Sequence, residues 1–114
     1  MVTIGKVAEI TKISISTLRY YDKEGLFPDL KRVSGIRQFS KSEIDTIRVI
    51  ECLKQSGLKI KDIKKFMLWC SQGDDTLQKR RQLFETQKKT VKKKIDDLKE
   101  VLNLLEYKCY SCNE

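Results

Sequence analysis

Up to Gly73 the apolar residues recur at three- and four-residue intervals in short blocks, each opened by a capping residue and closed by glycine or a polar turn. In the first block Ile4, Val7 and Ala8 share one face. Thr3 is placed to cap it, Val2 and Val7 hold staple positions, and the pattern fades near Thr11. The second block is Ile13 to Leu26, ISISTLRYYDKEGL, with Ser14 as N-cap, Ile13 and Leu18 as staple, and Gly25 as a left-handed stop. At about 100° per residue Ile15 and Leu18 fall inward, Ser16, Thr17, Tyr20 and Lys23 outward, and Arg19 and Tyr21 at the flanks. Asp22 falls on the inner side without an evident partner. Two short helices joined by so tight a connection predict a helix-turn-helix.

Pro28 and the polar residues after it stop helix formation, and Leu30 to Phe39, LKRVSGIRQF, places Ser34 and Gly35 as a turn between two short segments. This predicts a small β-hairpin, or wing. Ser40-Lys41-Ser42-Glu43 is a capping box, completed by the Phe39 and Ile44 staple, so a third helix starts there and runs to Gly57 with Ile44, Ile47, Ile50 and Leu53 inward. Ile60, Ile63, Phe66 and Met67 predict a fourth helix ending near Gly73, and Trp69 reads as core or as an interface anchor.

From Thr76 the period becomes seven. Leu77, Phe84, Val91, Leu98 and Leu105 occupy one heptad position, and Arg81, Lys88, Ile95 and Leu102 the other. A single helix of roughly 45 Å cannot bury such a seam against so small a domain, so a second copy of the chain is expected to cover it. Arg81 and Lys88 weaken the first half, which leaves that half to pack on the fourth helix; the dimer residues expected are Leu77, Phe84, Val91, Ile95, Leu98, Leu102 and Leu105. The lysine tract from Lys88 to Lys94 is read as a solvated face. The chain thus divides into a winged helix-turn-helix domain at 1–73, a dimerisation helix at 74–106 and a short cysteine-containing tail at 107–114. The fold class is mainly α.

Composition narrows the partners. The formal charge of +8 favours an anionic one, although the excess is shared by the first domain and the long helix, so charge alone supports nucleic acid only weakly. No apolar run is long enough for a bilayer, the N-terminus lacks a secretory pattern, and a cytoplasmic protein is expected. With no histidine, no phosphate-binding glycine loop and no paired carboxylates in an evident pocket, an enzyme is not expected, nor is any cofactor.

The candidate chemistry lies on the second helix and the wing. Short hydroxyls at Ser16 and Thr17 permit close approach to base edges, while Arg19, Tyr20, Tyr21 and Lys23 reach bases or phosphates. Arg32 and Arg37 flank the hairpin turn, where a wing pressed on a duplex offers both to phosphates or a narrowed minor groove. A coiled-coil interaction module explains Leu77 to Leu105 but leaves these residues idle. Four cysteines remain, Cys52, Cys70, Cys109 and Cys112. Cys52 sits at the edge of the third helix's apolar arc with Arg48 four residues earlier, and a cation beside a thiol favours its reactive thiolate form. The competing reading of Cys52 is a small buried hydrophobe, the reading given also to Cys70. Cys109 and Cys112 form C-x-x-C, a redox pair, half of a soft-metal site, or part of a disordered remnant.

The ordered set T-I-G-K-V-A, S-x-S-T-L-R-Y-Y-D, G-L, S-G-I-R-Q-F-S and G-L-K-I-K-D-I-K, followed by a long coiled-coil helix, resembles the MerR family of bacterial transcription regulators over nearly the whole chain. The resemblance implies a winged-helix DNA-binding domain, an antiparallel coiled-coil homodimer and a palindromic site in double-stranded promoter DNA. It also implies the family mechanism, in which the dimer distorts badly spaced promoter elements so that RNA polymerase can use them. By position, Ser16, Thr17 and Tyr20 would meet the major groove, Arg19 and Tyr21 the backbone, and Arg37 the wing contact. Phe39 departs from the tyrosine common in the family, and Lys59 from the usual serine cap. Cys52, in E-C-L-K-Q-S-G, looks like the cysteine of the thiol-based, aldehyde- and electrophile-responsive branch, which makes it the expected sensor. A soft-metal response through Cys109 and Cys112 is the alternative, although metal-sensing relatives space their tail cysteines further apart.

Overall fold

The hydroxyl of Ser14 accepts the backbone N–H of Thr17 at 3.2 Å, and that of Ser40 accepts the N–H of Glu43 while the Glu43 carboxylate takes the Ser40 N–H. Both caps start helices where the sequence places them. The computed structural model describes residues 1–112. Its elements are α1 (Ile4–Thr11), α2 (Ile15–Lys23), β1 (Lys31–Val33), β2 (Ile36–Gln38), α3 (Lys41–Gln55), α4 (Ile60–Ser71), a 3-10 turn (Gly73–Thr76) and α5 (Leu77–Cys112).

Thr3 precedes α1 in an extended conformation but makes no side-chain cap. Val2 instead pairs with Phe39 through reciprocal backbone hydrogen bonds of 2.9 and 2.8 Å, which ties the chain entry to the end of the wing. The wing is a two-stranded antiparallel ribbon in which Arg32 faces Arg37 and Val33 faces Ile36. Ser34 and Gly35 both have positive φ, 52° and 79°, so the connection is a two-residue turn that matches strand twist. At the end of α2, Gly25 takes φ 81° and Leu26 donates its N–H back to the Tyr21 carbonyl at 3.0 Å, closing the helix.

The core joins Val7, Leu18, Tyr21 and Leu26 of the helix-turn-helix to Phe27, Phe39 and the inward faces of α3 and α4, with Phe27 edge-on to Phe39 at 5.7 Å. The first half of α5 packs on this unit. Leu83 meets the core, Phe84 lies edge-on to Phe66 at 5.3 Å, and Gln87 donates to the Ser56 hydroxyl at 2.8 Å. Its partly buried residues, Arg80, Leu83, Gln87 and Val91, follow intervals of three and four that leave out Arg81 and Lys88 of the heptad seam. From Lys92 to Cys112 every residue is exposed, including Leu98 (67%), Leu102 (52%) and Leu105 (58%). A separate tail from 107 is not what the structure has. The helix continues to Cys112, because nothing between Tyr107 and Cys112 lacks a backbone N–H or carries the entropic cost of glycine. Asn113 and Glu114 lie outside the described residues.

Candidate nucleic-acid interface

The outward face of α2 carries Ser16, Arg19, Tyr20 and Lys23 exposed, with Thr17 half-buried and its hydroxyl accepting a 2.9 Å hydrogen bond from Ser14. The inward face differs from the expected one. Tyr21 was expected beside Arg19 at the DNA backbone; it is fully buried, whereas Ile15 is 37% exposed. The reason is geometric: Leu18 and Tyr21 are three residues apart on one side of the helix, and the core is centred between them. The Tyr21 hydroxyl donates to the Glu51 carboxylate and accepts from the Lys54 ammonium at 3.3 Å. Burial first, and then the hydrogen bond and charge of Glu51, push the phenol well above its ordinary range. Tyr21 therefore supports α2 from behind.

Asp22, without a partner in the sequence, has two in the structure. Its Oδ2 accepts from Arg32 Nη2 at 2.6 Å and from Arg37 Nε at 2.7 Å. The two wing arginines are thus not independent surface cations; each commits one donor to the end of α2. Beside them at the wing tip, Val33 and Ile36 are 61% and 57% exposed. Sequence reasoning missed this apolar pair, whose signal was the absence of any apolar partner across the turn other than each other. Lys64 of α4 braces the same end of α2 through Glu24 at 3.0 Å. Phe39 is fully buried and presents nothing to a ligand. Lys59 precedes α4 without a side-chain cap, since it has no acceptor to offer.

The cysteines are all exposed, which overturns the buried readings of Cys52 and Cys70. Cys52 lines a groove with Arg48 and Gln55 of α3, Ile13 of the connection between α1 and α2, and Val91 of α5. The long helix thus reaches the thiol's surroundings, which the third helix alone could not reveal. Cys109 and Cys112 lie within the last turn of α5 rather than in a remnant, and among the described residues no group of three metal-ligating side chains forms. Among the described residues no helix is long and apolar enough to cross a membrane.

The MerR HTH family regulatory protein model matches residues 2–68. An HTH-type transcriptional regulator of Haemophilus influenzae is 47% identical over 93% of this chain and 79% of its own length. The Bacillus subtilis HTH-type transcriptional regulator AdhR is 35% identical over 70% of this chain and 58% of its own. Among solved structures, HiNmlR, a MerR family regulator lacking the sensor domain and bound to promoter DNA, matches with a TM-score of 0.86 and 47% identity over 93% of this chain and 85% of that one. A MerR family regulator from Bacillus thuringiensis matches at 0.87 and 38% identity, covering 96% and 97%.

Proposed function

Because the chain belongs to the MerR family of helix-turn-helix transcriptional regulators, we propose that it binds a palindromic promoter site as a homodimer and distorts that DNA for RNA polymerase. One observation carries the DNA contacts. The short polar, aromatic and basic face of α2 stands next to a wing whose two arginines are held at the end of the same helix. Ser16, Thr17 and Tyr20 read the major groove, Arg19 and Lys23 take phosphates, and Arg32 and Arg37 meet the backbone beside the wing tip. HiNmlR, the similar regulator crystallised on promoter DNA, supports the DNA partner.

The dimer reading is supported by the exposed apolar residues of α5 between Ile95 and Leu105, which no described residue of the same chain covers. A second α5 laid antiparallel on this stripe buries it and holds two reading heads at a fixed separation, as a palindrome requires. The test is titration of a palindromic duplex at rising salt. Two chains per duplex and a steep fall in affinity are expected, whereas one chain per duplex, or affinity indifferent to salt, would sink this reading.

A second observation favours an electrophile signal. Cys52 is exposed in a groove bordered by Arg48, by the helix-turn-helix connection at Ile13 and by Val91 of α5. Its sulfur adds to the carbonyl carbon of an aldehyde, the thiol proton passing to the carbonyl oxygen, and the adduct then lies between the reading head and the dimer helix. Such an adduct biases the position of one against the other.

A further inference from the structure

The side chain of Asp22 is only 11% exposed, and a single oxygen of it takes both Arg32 and Arg37, whose own side chains are 48% and 27% exposed. A carboxylate at this place is unfavourable for a surface that meets phosphates, since it repels them. The register of the wing explains what it offsets. Arg32 and Arg37 are direct cross-strand partners, and like charges facing each other across two strands push the ribbon apart. The strands are three residues each, joined to the body at their base by the Val2 and Phe39 bridge. Asp22 ties the middle of this short ribbon to the helix that carries Tyr20.

A guanidinium has five N–H donors, and here each gives one to Asp22, Nη2 from Arg32 and Nε from Arg37. Among the described residues the remaining donors of both take no other partner, which leaves them for an anion. Holding two long side chains together before binding removes the rotamer entropy that two unrestrained arginines lose on contact. We propose that Asp22 is a positioning residue that joins Arg32 and Arg37 into one phosphate clamp on the DNA backbone, acting on DNA only through them. This rests on the reading of the wing as a DNA contact.

The test measures affinity for a duplex selected by the wild-type protein from a random library, across a range of salt. Asp22→Asn, although it removes a negative charge, lowers affinity about tenfold and flattens the salt slope, and Asp22→Glu restores part of both. In an Arg32→Ala/Arg37→Ala background Asp22→Asn has no further effect. Unchanged or tighter binding by Asp22→Asn alone overturns the proposal, as does an equal loss in the background without arginines, which marks a merely structural role. Wild-type affinity in the double arginine variant overturns both the clamp and the wing contact, and leaves the α2 contacts standing. Should Asp22→Asn fail to fold by circular dichroism, a cycle of Arg32→Gln and Arg37→Gln decides. A clamp loses nearly as much from either single variant as from both, and additive losses overturn it.

Discussion

The hydroxyl of Tyr21 donates to the carboxylate of Glu51, so the helix that faces outward through Tyr20 is fastened from behind to α3, one residue before Cys52. Lys54 completes the group, donating to the same hydroxyl at 3.3 Å and lying 5.5 Å from the centre of the ring. Tyr21→Phe keeps the buried ring and removes the hydrogen bond. A hydrogen bond to a charged acceptor is worth about 1.5–3 kcal/mol, and half-exposed Glu51 recovers part of that from water, so a loss near the lower figure is expected in urea unfolding. No loss would mean that Glu51 is as well solvated without the phenol.

The same phenol gives an alkaline signature. Its folded-state pKa lies above the ordinary 10.0, so the folded protein keeps a proton that the unfolded chain releases. Its contribution is complete below about pH 10 and falls as pH rises from there toward the folded-state value. The stability difference between wild type and Tyr21→Phe therefore shrinks above pH 10. Parallel curves to pH 11 would contradict the burial and Glu51 contact that raise the pKa.

Arg19 is exposed on α2 and makes no salt bridge in the structure's described residues, so its charge is available to a phosphate. Arg19→Ala is expected to weaken binding about tenfold on all duplexes alike and to lower the salt slope by about one. An unchanged slope in anisotropy titrations would remove Arg19 from the contact surface.

Leu98 is 67% exposed in the middle of the apolar stretch of α5. In the proposed dimer Leu98→Asp buries an unpaired charge in each copy, at a cost of about 3–5 kcal/mol, which is a hundredfold or more in dimer dissociation. Sedimentation equilibrium is expected to give the monomer mass while circular dichroism still reports a folded head. A variant that stays dimeric would place the interface elsewhere.

Cys52→Ser retains the groove and loses the nucleophile. Operator affinity is expected to stay within about twofold of wild type, since Cys52 lies on α3 away from the outward face of α2, whereas the transcriptional response to an aldehyde or quinone disappears in vitro. A full response in this variant would transfer the sensor role to another thiol.

What the sequence determined by itself is what neighbours along the chain decide. Ser14 and Ser40 start helices because a hydroxyl reaches an N–H three residues on, Ser34 and Gly35 turn the wing because their φ angles are positive, and the outward set of α2 follows from helical pitch. Arg81 and Lys88 marked where the heptad would fail, and there α5 packs on its own domain. Only the tertiary structure decided the rest. Helical pitch placed Tyr21 at a flank, and its burial depended on Glu51 and Lys54, thirty and more residues away. Asp22 had no visible partner because its two arginines come from strands that the fold brings back across α2. Cys52 acquired Val91 as a neighbour only when the long helix returned to α3. Short-range hydrogen bonding is written in residue order, whereas burial and charge pairing belong to whichever distant segments come to share the same space.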